Sequence, residues 1–172
     1  MVETLWKWLS HYMEDPGGAQ LRLGTRPVLV YSLPDEKASQ DEEWGDRFRT
    51  ASAGTQPSLN SGQQLVTILE KTKENAFQTK LTLGRTTNND IVLNHPSVSR
   101  FHAWLQPDAS VDGWAVVDAG SKNGTILSGH KIISKKPHEL ENGAKIRLGK
   151  VEMTFYSTGG FSRMLKARLE RQ

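Results

Sequence analysis

Residues 145–156 read Lys145-Ile146-Arg147-Leu148-Gly149-Lys150-Val151-Glu152-Met153-Thr154-Phe155-Tyr156. Apolar and polar residues alternate on both sides of a Gly149-Lys150 turn, the pattern of a β-hairpin with one buried face. Asn142-Gly143 turns the chain into this hairpin, and the same texture reaches back to Gln63. Strands are expected at Leu65 to Leu69, Phe77 to Leu83, Ile91 to Leu93, Phe101 to Leu105, Trp114 to Val117, Thr125 to Leu127 and Lys131 to Ile133. Turn residues separate them at Lys73-Glu74-Asn75, Asp112-Gly113, Asn123-Gly124 and Ser128-Gly129-His130. A parallel sheet needs crossover connections of about a dozen residues or more, and these gaps leave no room for them. The expected fold is therefore all-β, an antiparallel β-sandwich of about ten or eleven short strands.

The flanks differ in composition. Val2, Leu5, Trp6, Leu9, Tyr12 and Met13 recur at helical spacing, and Asp15-Pro16-Gly17-Gly18 is expected to stop that helix. A short β-rich run, Val28 to Leu33, ends at Pro34. Residues 35–62 are dominated by charged and small polar residues and read as a linker or flexible arm. At the other end, residues 159–172 form a basic helix with Ser162 as candidate N-cap and Phe161, Leu165 and Leu169 on one face. That face fits packing on the sandwich, a partner helix or an anionic surface. Three segments result: 1–62, 63–158 and 159–172, with net charges of −3, +3 and +3. The basic balance alone does not argue for nucleic acid.

Composition removes several function classes. The chain of 172 residues has no cysteine, so thiolate catalysis, thiolate zinc sites and disulfides are excluded. The five histidines are scattered, without metal-ligand spacing. No apolar run approaches the roughly 18 residues of a membrane helix. The expectation is a cytoplasmic protein with no metal or cofactor and no catalytic activity.

What the sequence does carry is an ordered polar series: Gly84-Arg85, then Ser99-Arg100-Phe101-His102, then Gly120-Ser121-Lys122-Asn123-Gly124-Thr125. Each set ends or begins a strand, which places the three on loops at one end of the sandwich, where binding groups usually reside. Arginine is a permanent, planar cation suited to two phosphate oxygens, and a hydroxyl can take a third. Arg85 and Ser99 have those chemistries. Asn123 can donate to and accept from a peptide backbone at once. The Asn123-Gly124 pair is also an ordinary hairpin turn. Asp118 reads as a loop-bonding carboxylate rather than an acid.

With Asn89-Asp90-Ile91 and Asp118 added, this series resembles the forkhead-associated, or FHA, domain family over about residues 63–158. The resemblance implies binding of phosphothreonine peptides, with Arg85 and Ser99 on phosphate and Asn123 on peptide backbone. It further implies that His102 is architectural, that Gly84 permits close approach of the Arg85 loop, and that Gly124 shapes the turn behind Asn123. A small pocket for the threonine methyl is implied as well. Arg100 stands where family members vary, and Lys122 where a threonine or serine is frequent; each adds a cation to the phosphate site or faces solvent.

The function expected is a phosphothreonine-dependent interaction module, a signalling adaptor downstream of a Ser/Thr kinase. The alternative is a degenerate domain of the same fold that binds an unphosphorylated partner, with the terminal helices as its interface or as an oligomer contact. Within the acidic arm, Arg47-Phe48-Arg49-Thr50 and Ala53-Gly54-Thr55 supply Thr50 and Thr55 as candidate phosphorylation sites, and the domain could then bind its own arm.

Overall fold

The computed structural model describes residues 2–34, 63–71, 77–108 and 113–171. In chain order the elements are β1 (Val2–Thr4), α1 (Leu5–Glu14), α2 (Pro16–Leu23), β2 (Val28–Ser32), β3 (Leu65–Ile68), β4 (Leu81–Gly84) and β5 (Ile91–Val92). There follow β6 (Ala103–Asp108), β7 (Gly113–Asp118), β8 (Thr125–Leu127), β9 (His130–Lys131), β10 (His138–Glu139), β11 (Lys145–Leu148), β12 (Val151–Tyr156) and α3 (Thr158–Leu169). The strands form two sheets, ordered β1-β3-β2-β12-β11-β8-β9 and β10-β7-β6-β4-β5. This is the expected β-sandwich, with terminal helices.

The β11–β12 hairpin forms as its alternation predicts: Ile146 and Leu148 pair with Met153 and Val151, and all four are buried. They join Leu83, Leu105 and Val116 of the facing sheet in one core. Ser128 and Gly129, at φ 48° and 90°, turn β8 into β9 as a two-residue hairpin needs.

Several boundaries differ from expectation. β2 pairs with both β3 and β12, so it lies inside the seven-stranded sheet although it precedes residue 63. Its run Val28-Leu29-Val30-Tyr31 is continuous because both faces are covered: Leu29 and Tyr31 enter the sandwich core, whereas Val28 and Val30 face the helices. Asp15 ends α1 as expected, but a second helix begins directly after it. The Asp15 carboxylate accepts from Gly18 N–H at 2.8 Å and caps this second helix, which has Pro16 in its first turn. Ser157, rather than Ser162, caps α3.

Phe77 falls outside β4, in a turn closed by Lys80 N–H on its carbonyl. β6 starts only at Ala103, because the backbone before it is used by the site loops. The β4–β5 pair is parallel, the exception among the described strands, and β10 was not anticipated at all. The Lys73–Asn75 turn, Asp112, Thr50 and Thr55 lie outside the described residues.

The helices pack together on the outer face of β2 and β3. Leu5, Trp8, Leu9, Leu23, Phe161 and Leu165 are buried there with Val28, Val30 and Val66. The Phe161 ring meets Trp8 edge-on, with centroids 5.5 Å apart. The apolar face of α3 is thus covered from within the chain, while Trp6 and Met13 of α1 remain exposed. Among the described residues, no helix is long and apolar enough to cross a membrane.

Candidate functional site

Loops from both sheets converge at one end of the sandwich. Arg85 follows β4, residues 93–102 connect β5 to β6, residues 119–124 connect β7 to β8, and Gly149-Lys150 turns β11 into β12. The first three enclose an open cavity of about 640 Å³ whose lining includes Arg85, Ser99, Arg100, Lys122 and Asn123. The sequence-predicted binding residues are therefore brought together on one wall. Pro96, Ser97, Val98, Phe101 and Gly120 complete it.

Gly84 sets the first loop. A Cβ there would collide with the Arg100 carbonyl oxygen and lie 2.7 Å from Asn89 Nδ2. The buried Asn89 amide uses that proximity, donating to Arg100 O at 2.7 Å and Thr86 O at 2.9 Å. Arg85 N–H donates to Ser99 O at 3.1 Å, which fixes the spacing between the two residues. Among the described residues neither Arg85 nor Arg100 has a carboxylate partner.

His102 ties this loop to the next. Its Nδ1 accepts from Ser99 N–H at 3.1 Å, which leaves Nε2–H to donate to Gly124 O at 3.2 Å. Both bonds require the neutral ring, since a proton on Nδ1 would confront the Ser99 donor. Burial pushes the imidazole below its ordinary pKa of 6.5, only partly offset by the bond to Gly124 and the charge of Asp118. Ser99 Oγ accepts from Lys122 N–H at 3.1 Å, so its own proton remains available to a ligand. Asn123 Nδ2 donates to Ser97 O at 2.8 Å and keeps a second amide hydrogen and its carbonyl oxygen.

Asp118 anchors the third loop. Its Oδ1 accepts from Gly120 N–H (2.8 Å) and Ser121 N–H (3.1 Å), and its Oδ2 from the Ser121 and Thr125 hydroxyls, each at 2.7 Å. Burial alone would raise its pKa, but these four donors outweigh it and hold the carboxyl at about 2. It stays ionised, turned into the protein. Gly124, at φ 75°, supplies the left-handed turn residue behind Asn123.

Two contributors had no role assigned from the sequence. Ser97 joins three loops: its carbonyl holds Asn123, its Oγ accepts from Lys150 N–H at 2.8 Å, and its N–H reaches His95 Nδ1 at 3.1 Å. A Cβ on Gly149 would collide with the Ser97 carbonyl, so this turn is a packing surface as well as a hairpin end. Asn89 was visible as part of the motif, but its bond to Arg100 O depends on β4 and β5 pairing in parallel.

The wall combines fixed cations, a free hydroxyl proton and side-chain amide groups, without a nucleophile–base pair. Residues 81–149 match the family model of the FHA domain. The motif series and the family model thus point to the same domain over these residues. The human "Angiogenic factor with G patch and FHA domains 1" is 35% identical over 81 residues, which are 44% of this chain and 11% of that protein. The "Transcriptional regulatory protein EmbR" of Mycobacterium tuberculosis is 30% identical over 155 residues, 85% of this chain and 37% of EmbR. The solution structure of the FHA domain of an Arabidopsis thaliana hypothetical protein shares the fold, with a TM-score of 0.51 at 18% identity over 78% of this chain and 87% of that one. The present chain therefore spans only a minor part of these curated relatives.

Proposed function

We propose that this chain binds phosphothreonine-containing protein segments and acts as a non-catalytic signalling adaptor. The observation that carries this reading is the wall formed by Arg85, Ser99, Arg100, Lys122 and Asn123, on which Arg85 and Arg100 have no carboxylate partner among the described residues. Arg85 would take two phosphate oxygens and the Ser99 hydroxyl a third, with Arg100 and Lys122 adding charge. Asn123 would hold the backbone of the ligand strand. Pro96, exposed at the cavity, gives it apolar surface that suits the threonine methyl.

The relatives carry unlike descriptions, a transcriptional regulator and an angiogenic factor. What they share with this chain is the domain, and the reading is of the domain. A Ser/Thr kinase upstream follows from the ligand. Thr50 or Thr55, once phosphorylated, would make the chain's own arm a ligand at high local concentration.

The test is a titration with a phosphothreonine peptide library, followed by the best peptide against Arg85→Ala. Loss of a desolvated charged partner is expected to weaken binding by about 2–5 kcal/mol. Dephosphorylation should do the same, and phosphoserine should bind less well than phosphothreonine. Unchanged affinity in Arg85→Ala refutes phosphate recognition at this wall. Peptides spanning residues 47–56, phosphorylated at Thr50 or Thr55, test the arm.

A further inference from the structure

Arg85 and Arg100, which line the groove, have no carboxylate partner among the described residues. A phosphothreonine carries a charge of only about −1.5 to −2 at neutral pH. Two lysines stand beside the same groove, on the side reached across residues 120–124. The stem of Lys131 lies against Gly124, where a Cβ would run into Lys131 Cε, and so it sits next to Asn123. Lys135 approaches the other end of that loop, its Cε 4.0 Å from the position a Gly120 Cβ would take.

Lys135 is also one of two described non-glycine residues at positive φ, 64°, and its N–H is bonded to Asp118 O at 2.8 Å. That conformation disfavours a lysine and sets the direction of its side chain. Both lysines are exposed, and neither has a carboxylate partner among the described residues. The nearby carboxylate, Asp118, is turned inward and occupied by its four donors. The local charge therefore exceeds what one phosphate neutralises.

We propose that Lys131 and Lys135 form a second anion subsite, which takes carboxylates or a further phosphate on the same strand that the groove binds. The inference rests on the phosphothreonine reading and adds to it a ligand class: segments acidic on one flank of the phosphothreonine.

The experiment uses the full chain and four synthetic phosphothreonine peptides in fluorescence anisotropy. One peptide has neutral flanks, one is acidic on the N-terminal side, one is acidic on the C-terminal side, and one carries a second phosphothreonine. Exposed ion pairs of this kind contribute little singly. Neutralising one lysine should cost roughly threefold, and the double reversal Lys131→Glu with Lys135→Glu roughly tenfold or more, for one acidic-flank peptide. The neutral-flank peptide should change less than about twofold. A fifth, lysine-flanked phosphothreonine peptide should gain affinity for the doubly reversed chain, and added salt should shrink these differences.

Lys131→Met keeps the stem on Gly124, so the charge can be removed without disturbing the turn, and Lys166→Glu on α3 serves as a remote control. Equal losses for neutral and acidic peptides, or no loss for any, overturn the subsite while leaving phosphate recognition standing. If the unaltered chain binds none of the four peptides, both readings fall. The doubly phosphorylated peptide separates its source of charge: a gain confined to it assigns the subsite to phosphate rather than carboxylate.

Discussion

Removing the Asp118 carboxylate should loosen the loop that carries Lys122 and Asn123. In Asp118→Ala four hydrogen bonds disappear together. Gly120 is exposed and Ser121 half-buried, so their donors regain water at modest cost. Thr125 is fully buried, and its hydroxyl would be left without this acceptor, at about 1–3 kcal/mol. Adding the loss of charge-assisted bonds to Ser121, and crediting the relief of a buried charge, gives a destabilisation of about 3 kcal/mol.

Asp118→Asn should cost less, about 1 kcal/mol, because its oxygen still serves the backbone donors and the two hydroxyls can rotate to accept from its NH₂. Urea unfolding at neutral pH measures both. An acid series adds an independent check. The folded carboxyl titrates at about 2 against an ordinary 3.8, so between these values the unfolded chain binds more protons than the folded one. The contribution is complete above 3.8 and is lost as pH falls toward 2. The Asn variant should lack this part of the acid slope. Equal cost for Ala and Asn, or an acid slope undiminished in Asp118→Asn, would refute the role assigned to the carboxylate.

Three further outcomes are expected. Gly84→Ala should destabilise by about 1–3 kcal/mol and weaken phosphothreonine-peptide binding, since the added methyl forces the Arg100 carbonyl and Asn89 apart; calorimetry and peptide titration measure the two effects. Phe161→Ala should cost about 3–5 kcal/mol and expose the helical layer to limited proteolysis, with peptide affinity retained, because Phe161 packs on Trp8 far from the loops. Burial lowers the His102 pKa below 6.5, so the unfolded chain binds more protons in the window beneath that value. The resulting stability is complete above 6.5 and is lost as pH falls through the folded value. Stability compared at pH 7 and pH 5.5 should show this slope in the unaltered chain and a smaller one in His102→Gln.

The bounds of β8, β11 and β12 were legible to the residue, because β11 and β12 alternate across one buried face and each of the three borders a glycine turn. β2 was visible as a strand but not as a member of the sheet. Its partner β3 follows only after residues 35–62, and local periodicity carries no information on pairing across such a gap. Arg85, Ser99, Arg100, Lys122 and Asn123 could be gathered from motif order alone, and the structure places them on one wall. Ser97 could not be weighted, because its importance arises from contacts with Asn123 and Lys150, remote in sequence. Lys131 and Lys135 stand out only in three dimensions, where Gly124 and Gly120 lie beside their stems.

The division of labour in this loop cluster follows from what each kind of group can tolerate. The groups that fix geometry are buried: Asn89, His102 and Asp118, bonded to backbone or hydroxyl partners, and Thr125, whose hydroxyl donates to the Asp118 carboxylate. His102 alone spans three segments, since its N–H bonds Leu83 O, its carbonyl accepts from Ala119 N–H, and its ring joins Ser99 to Gly124. The cations that would meet a ligand stand outside that lattice, where a full charge keeps its hydration until it is paired. A substitution in the lattice should therefore change stability and affinity together, whereas one among Arg85, Lys131 and Lys135 should change affinity with stability nearly constant. Plotting the two quantities for all the variants above tests that separation, and a lattice variant that lost affinity at full stability would place the residue in the binding surface instead.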